Sequence, residues 1–124
     1  MTLHHAALET AEGDREALVA FFGLLGFAPV APPPTLTLTN ALWVERDGTQ
    51  VHVLFADAAV VPPQGHVAVV CADYEAALRR LRGAGFAPDP REEHWGSPRC
   101  FVRAPGGHRV EVMAFPPGGA LAGS

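Results

Sequence analysis

The sequence predicts an α+β fold of two tandem β-α-β-β-β modules, and three observations carry that expectation. The chain repeats itself at an offset of 59 residues: Asp14-Arg15-Glu16-Ala17 returns as Asp73-Tyr74-Glu75-Ala76, and Gly26-Phe27-Ala28-Pro29 returns letter for letter at Gly85-Phe86-Ala87-Pro88. Gly48-Thr49-Gln50-Val51-His52-Val53 returns as Gly107-His108-Arg109-Val110-Glu111-Val112. Within each copy the apolar period passes from strand alternation to helical spacing and back. At 124 residues the chain suffices for one domain, so the two copies are expected to share a core or a site.

Residues 3 to 9 read as a strand. From Asp14 to Leu25, the residues Leu18, Phe21, Phe22 and Leu25 recur at i, i+3, i+4 and i+7, one face of a helix that Gly26 stops. Strands are expected at 27 to 31, 38 to 45 and 50 to 56, the last two joined by the hairpin turn Arg46-Asp47-Gly48-Thr49. Pro32-Pro33-Pro34 reads as an extended loop. The second copy gives a strand at 66 to 72 and a helix from Asp73 to Ala84, with Leu78 and Leu81 inward and Arg79, Arg80 and Arg82 outward. Strands at 86 to 89, 98 to 104 and 108 to 114 follow. Residues 1 to 124 thus form one domain, with modules at 3 to 56 and 66 to 115, a linker at 57 to 65, and a loose tail at 116 to 124.

Composition removes several function classes. A net charge of -4 argues against a nucleic-acid surface. No apolar run approaches the roughly 20 residues that span a bilayer, and the N-terminus lacks the pattern of a signal peptide, so a cytoplasmic protein is expected. Cys71 and Cys100 lack CxxC spacing and read as small buried hydrophobes. All nine basic residues are arginine, which excludes Schiff-base chemistry for want of a lysine amine. Ser97, in the turn sequence Gly96-Ser97-Pro98, does not sit in a G-x-S-x-G elbow and is discarded as a nucleophile. No P-loop or GxGxxG is present.

Strand parity assigns faces. Val51, Val53 and Phe55, like Val110 and Val112, should pack on the helices and leave His52 and Glu111 on the opposite face. With a slip of two residues, His5 pairs with His66, and Ala7 and Ala68 leave room beside them. His4 points away and reads as structural. If residue 103 pairs with 109, Phe101 and Arg99 lie opposite Glu111 and Met113, on the same face. The 59-residue offset then sets Leu42 and Asn40 on the site face of the first module and Trp43, like Val102, in the core. Phe22, Phe27 and Phe86 belong to the core. Three imidazoles and a carboxylate, His5, His52, His66 and Glu111, suit a borderline divalent ion: Zn, Ni, Fe(II), Co or Mn. His52 reads as ligand or as a general base titrating near neutrality. Arg99 and Arg103 are candidates for clamping a substrate carboxylate. His94 and Trp95 read as surface loop, with a mobile rim over the site as the sharper alternative.

The Leu-x-His opening, Gly-Phe after each helix, Gly65-His66-Val67-Ala68, and Phe101-Val102-Arg103-Ala104-Pro105-Gly106-Gly107-His108-Arg109-Val110-Glu111-Val112 carry a family likeness. Together they resemble the glyoxalase, bleomycin-resistance and dioxygenase superfamily, the vicinal oxygen chelate family, over about residues 3 to 115. The resemblance implies a cup-shaped, partly closed barrel with a metal held from the first and fourth strands of each module. Those positions are His5, His52, His66 and Glu111 here. It implies an isomerase, lyase or dioxygenase acting on a small substrate chelated through adjacent oxygens, with His52 and Glu111 as catalytic candidates, Arg99, Phe101 and Met113 at the substrate, and a homodimer. The family's Asp-Pro-Asp-Gly-Asn turn is here Ala104-Pro105-Gly106-Gly107-His108, which leaves His108 at a turn position rather than as a ligand. Glyoxalase I-like members tend to carry an acid or Gln where His52 stands. Fosfomycin-resistance members resemble the His5, His66, Glu111 triad, but they use basic and hydroxyl side chains that are scarce in this chain. The alternative reading is a metal-free, bleomycin-resistance-like binding protein.

Overall fold

In the computed structural model, residues 3–36, 40–94 and 96–118 are described. The chain divides into two compact units, Met1–Val61 and Pro62–Ser124, each holding one copy of the repeat. In the first unit, β1 (His5–Thr10) leads through a 3-10 turn (Glu12–Asp14) to α1 (Arg15–Leu24), β2 (Ala28–Val30), β3 (Ala41–Arg46) and β4 (Thr49–Phe55). Its sheet has the order β1-β4-β3-β2, with β1 parallel to β4 and the other pairs antiparallel. In the second unit, β5 (His66–Val70), α2 (Tyr74–Gly83), β6 (Asp89–His94), β7 (Ser97–Arg103) and β8 (Arg109–Met113) give the matching order β5-β8-β7-β6. Positions 38 and 39 of the expected third strand lie outside the described residues, and β6 begins at Asp89 rather than 86.

The letter-for-letter Gly-Phe-Ala-Pro repeat is a helix terminator. Past α1, the Phe27 N–H bonds to the Phe22 carbonyl and the Gly26 N–H to that of Gly23; past α2, Phe86 bonds to Leu81 and Gly85 to Arg82. This double closure needs a left-handed residue, and Gly26 (φ 89°) and Gly85 (φ 91°) supply it without a Cβ clash. Phe27 also folds its ring back on Phe22, centroids 5.8 Å apart. The helices then bury Leu18, Phe21 and Phe22 in one unit and Tyr74, Ala77, Leu78 and Leu81 in the other. The strand valines Val44, Val51 and Val53, and Val102, Val110 and Val112, are buried likewise. Each such side chain contributes about 1.5–3 kcal/mol when fully buried. Cys71 and Cys100 are buried free thiols, and burial pushes both the Cys100 thiol and the Tyr74 hydroxyl above their usual ranges.

One register expectation fails. In β7 and β8 the pairs are Arg103↔Arg109, Phe101↔Glu111 and Arg99↔Met113, as the sequence suggested. In β3 and β4, however, Trp43 pairs with His52 and Leu42 with Val53. Trp43 therefore shares the His52 face, and Leu42 is buried in the core instead. The cause is loop length: Arg46 to Thr49 separate the pair Glu45↔Gln50, whereas the longer run Ala104 to His108 separates Arg103↔Arg109. The first hairpin closes tightly because Asp47 (φ 51°) and Gly48 (φ 80°) are both left-handed, the primed turn that matches strand twist. The missing residue sets β3 against β7 at an offset of 58, and a slip of one turns every side chain to the other face. Asn40, also expected on the site face, uses its side-chain amide to bond the Phe55 carbonyl.

Candidate functional site

The second unit builds an acid–base cluster on the sheet face opposite its buried valines. His66 on β5 and Glu111 on β8 come together because the parallel register sets Ala68, which has no bulk, beside Glu111. His66 Nε2 lies 3.1 Å from Glu111 Oε1, and Arg99 Nη1 donates to Glu111 Oε2 at 3.1 Å. His66 Nδ1 lies 2.9 Å from the Gln64 carbonyl, so it carries a proton and Nε2 faces the carboxylate. Unless a proton or a cation stands between them, two acceptors meet there. A histidine held through its other nitrogen by a backbone carbonyl has the outer contact common among metal-bound imidazoles. Glu111 is 8% exposed, and partners on both oxygens offset the cost of burying it.

Arg99 differs from the expected substrate clamp in how its donors are used. Its Nη1 is held by Glu111, its Nη2 lies 3.0 Å from His94 Nε2, and its Nε donates to the Glu92 carbonyl at 2.8 Å. Each of its three nitrogens has a protein partner, so Arg99 positions Glu111, and two of its five N–H groups are left for a ligand. A cavity of about 360 Å³ opens on this cluster, lined by His66, Glu111, Arg99, Phe101 and Met113 together with His94 and Ser97. That volume suits a small organic molecule. The Ser97 hydroxyl accepts the Phe115 N–H and donates to the Pro98 carbonyl, a structural use. Phe115, Pro116 and Pro117 complete the wall, although 116 onward reads in the sequence as tail. The apolar Phe115, two residues past the end of β8, is the available signal. Residues 119–124 and Trp95 lie outside the described residues.

The first unit arranges its donors differently. His5, His52 and Trp43, from the adjacent strands β1, β4 and β3, form a stack: His5 and His52 centroids are 4.0 Å apart at 16°, and His52 and Trp43 3.8 Å apart at 2°. Imidazole lone pairs lie in the ring plane, so stacked rings aim them along near-parallel directions. To ligate one ion together, His5 or His52 has to rotate out of the stack. His52 Nε2 lies 2.7 Å from Gln50 Oε1, and Gln50 in turn donates to Glu45. Burial, and then the neighbouring His5 and His4 rings, hold His52 below the usual histidine range, so it is neutral at pH 7. His4 sets its ring edge-on to His5. A cavity of about 180 Å³ lies against the stack, bounded also by Ala7, Pro32, Leu36, Ala41 and Leu54.

Among the described residues, no group of three or more His, Cys, Asp or Glu side chains is placed to hold a metal ion. Of the four expected ligands, His5 lies against His52 and His66 against Glu111, and His4, expected to point away, brings its Nδ1 to 2.9 Å from His5 Nδ1. No helix of the described residues is long and apolar enough to cross a membrane.

No protein-family model and no curated protein matches this sequence. Solved structures do share its fold. A Bacillus anthracis protein described as of the glyoxalase family superposes with a TM-score of 0.82 at 19% identity, covering 91% of this chain and 93% of that one. Lactoylglutathione lyase from Agrobacterium tumefaciens gives 0.68 at 20%, covering 90% and 92%. TnmS3, an antibiotic binding protein from Streptomyces sp. CB03234, gives 0.70 at 17%, covering 90% and 93%. The α+β fold of two β-α-β-β-β modules is therefore shared with structures described as glyoxalase family and glyoxalase/bleomycin resistance protein/dioxygenase superfamily proteins, the fold the sequence motifs suggested.

Proposed function

We propose that this chain, sharing the fold of the vicinal oxygen chelate proteins, is a metal-dependent enzyme acting on a small substrate that presents adjacent oxygens. The observation that carries the reading is the His66–Glu111 pair, whose Nε2 and Oε1 lie 3.1 Å apart, close enough to share a cation, and whose outer bonds to Gln64 and Arg99 hold both groups in place. His5, at the repeat position of His66, is proposed as a further donor, and His52, at that of Glu111, as either a fourth donor or the general base. Nitrogen and oxygen donors suit Zn, Ni, Fe(II), Co or Mn, and such an ion would supply Lewis-acid stabilisation of charge developing on substrate oxygen.

The chain's own groups have separable tasks. Glu111 offers one oxygen to the site while Arg99 occupies the other, which favours single-oxygen ligation. His52, neutral at pH 7, is able to accept a proton, the role of a general base in glyoxalase-like isomerase or lyase chemistry. Dioxygenase chemistry fits a set of two histidines and one carboxylate with His52 left out. Phe101 and Met113 provide apolar walls. The same reading makes the protein a cytoplasmic homodimer.

A second reading, a metal-free binding protein, is favoured by the His5–His52–Trp43 stack, a flat aromatic surface beside a cavity. Metal analysis after supplementation with each candidate ion separates the two. Glu111→Ala and His66→Ala are expected to lose a bound ion. Full retention in both variants overturns the enzyme reading, and loss of aromatic-ligand binding in Trp43→Ala alone supports the binding protein.

A further inference from the structure

Four of the nine arginines, in a chain of net charge -4, gather on one sheet face of the second unit. The registers Arg91↔Arg99 and Arg103↔Arg109 set them around Phe101, which pairs with Glu111 and Asp89 on the same face. The guanidinium carbons of Arg109, Arg91 and Arg99 lie 4.0, 5.5 and 5.7 Å from the Phe101 ring centroid. Their charges are not equally met. Arg99 is paired with Glu111 and Arg91 with Asp89 at 2.9 Å, while Arg103, among the described residues, donates to the neutral Gly107 carbonyl. Arg109, half-buried on the ring, has no carboxylate or hydrogen-bond acceptor among the described residues. A second cavity of about 180 Å³ opens here, lined by Arg91, Arg103, Arg109, Asp89 and Phe101.

We infer that this cavity is an oxyanion site in which Arg109, its guanidinium carbon 4.0 Å from the Phe101 ring centroid, and Arg103 bind a carboxylate or phosphate group of a small ligand. A guanidinium stacked on an aromatic ring keeps its N–H edge directed outward, and that fork matches two oxygens of one anion. Two uncompensated positive charges favour a dianion or a strongly charged monoanion. Phe101 also lines the larger cavity over His66 and Glu111, so one ring is the wall between the two. Arg109 and Glu111 are two residues apart on β8, a separation of about 7 Å along the strand. A ligand anchored by its anionic end at Arg109 thus extends about that far to bring its other oxygens to the His66–Glu111 pair. The inference adds a substrate class to the metal-enzyme reading and does not rest on the metal.

Calorimetric titration with inorganic phosphate, and separately with malonate, at fixed ionic strength tests it. The wild-type chain is expected to bind with saturable one-to-one stoichiometry, and Arg109→Gln to weaken that binding about tenfold or more. Arg109→Lys, which keeps the charge and loses the fork, should fall between them. Arg79→Gln, on the exposed side of α2, should match wild type. Phosphate preferred over malonate assigns a phosphorylated ligand, and the reverse a carboxylate. Equal affinity in wild type and Arg109→Gln, an equal loss in Arg79→Gln, or no saturable binding by wild type overturns the site. Glu111→Ala is expected to lose metal yet bind phosphate as wild type does, because Glu111 does not line this cavity, so failure of the metal reading and of the anion site are read separately.

Discussion

The two units put the same backbone to different chemical use. His5 and His66 occupy equivalent positions on parallel edge strands, as do Ala7 and Ala68 beside His52 and Glu111. Where the second unit has Glu111, His66 finds an acid; where the first has His52, His5 finds a ring and stacks on it. The contrast continues along the third strands once the offset of 58 is applied. Phe101 corresponds to Trp43, Arg99 to Ala41 and Arg103 to Glu45, and across the hairpins Arg109 corresponds to Gln50. One sheet face is thus cationic around an acid, and the other is aromatic with a Gln50–Glu45 bond at its rim. Duplicated folding instructions are kept in the Gly-Phe turns and the valines, while the exposed-face positions have diverged in charge.

The largest expected difference lies between Glu111 and His52 themselves. Glu111→Ala leaves Arg99 half-shielded without its acid and should destabilise the metal-free protein by about 2–3 kcal/mol. His52→Ala removes a stacked ring and a neutral hydrogen bond, so a smaller loss of about 1–2 kcal/mol is expected. Urea unfolding of both variants orders them, and a larger loss for His52→Ala would reverse the contrast. The helix-terminating glycines come next. Gly85→Ala meets open space and should cost about 1 kcal/mol, from the left-handed backbone alone. Gly26→Ala carries the same strain and also meets the Arg46 guanidinium 3.0 Å from its new Cβ, so it should cost more. Equal melting temperatures for the two variants would show that Arg46 moves aside freely.

The smallest effect is a pH dependence confined to the first unit. Because His52 titrates lower folded than unfolded, the unfolded chain binds more protons between the two values. The stability it contributes is present above the unfolded value near 6.5 and is lost as pH falls through the lowered folded value. After chelator treatment, His52→Gln should flatten the fall in melting temperature between pH 7.5 and 5. An unchanged slope would mean that other groups carry the acid sensitivity.

Much of this was legible in the sequence, for stateable reasons. The repeat and its glycines gave both modules, and a correctly chosen pair, 103 with 109, placed Arg99, Phe101, Glu111 and Met113 on one face. Trp43 was misplaced because parity in β3 depends on a one-residue difference between hairpin loops, which an alignment of the flanking strands does not register. The stack it forms with His52 and His5 was hidden for the same reason. Strand alternation sets Arg109 on the Glu111 face, but sequence shows which arginines share a face and not which of them find a carboxylate.

The central claim is that the His66–Glu111 pair binds a divalent ion, and metal stoichiometry tests it most directly. Wild-type protein supplemented with Zn, Ni, Fe(II), Co or Mn and then desalted should retain about one equivalent of at least one ion, and His66→Ala and Glu111→Ala should each lose it. A wild-type chain that retains none of these ions, or variants that retain as much as wild type, would contradict it.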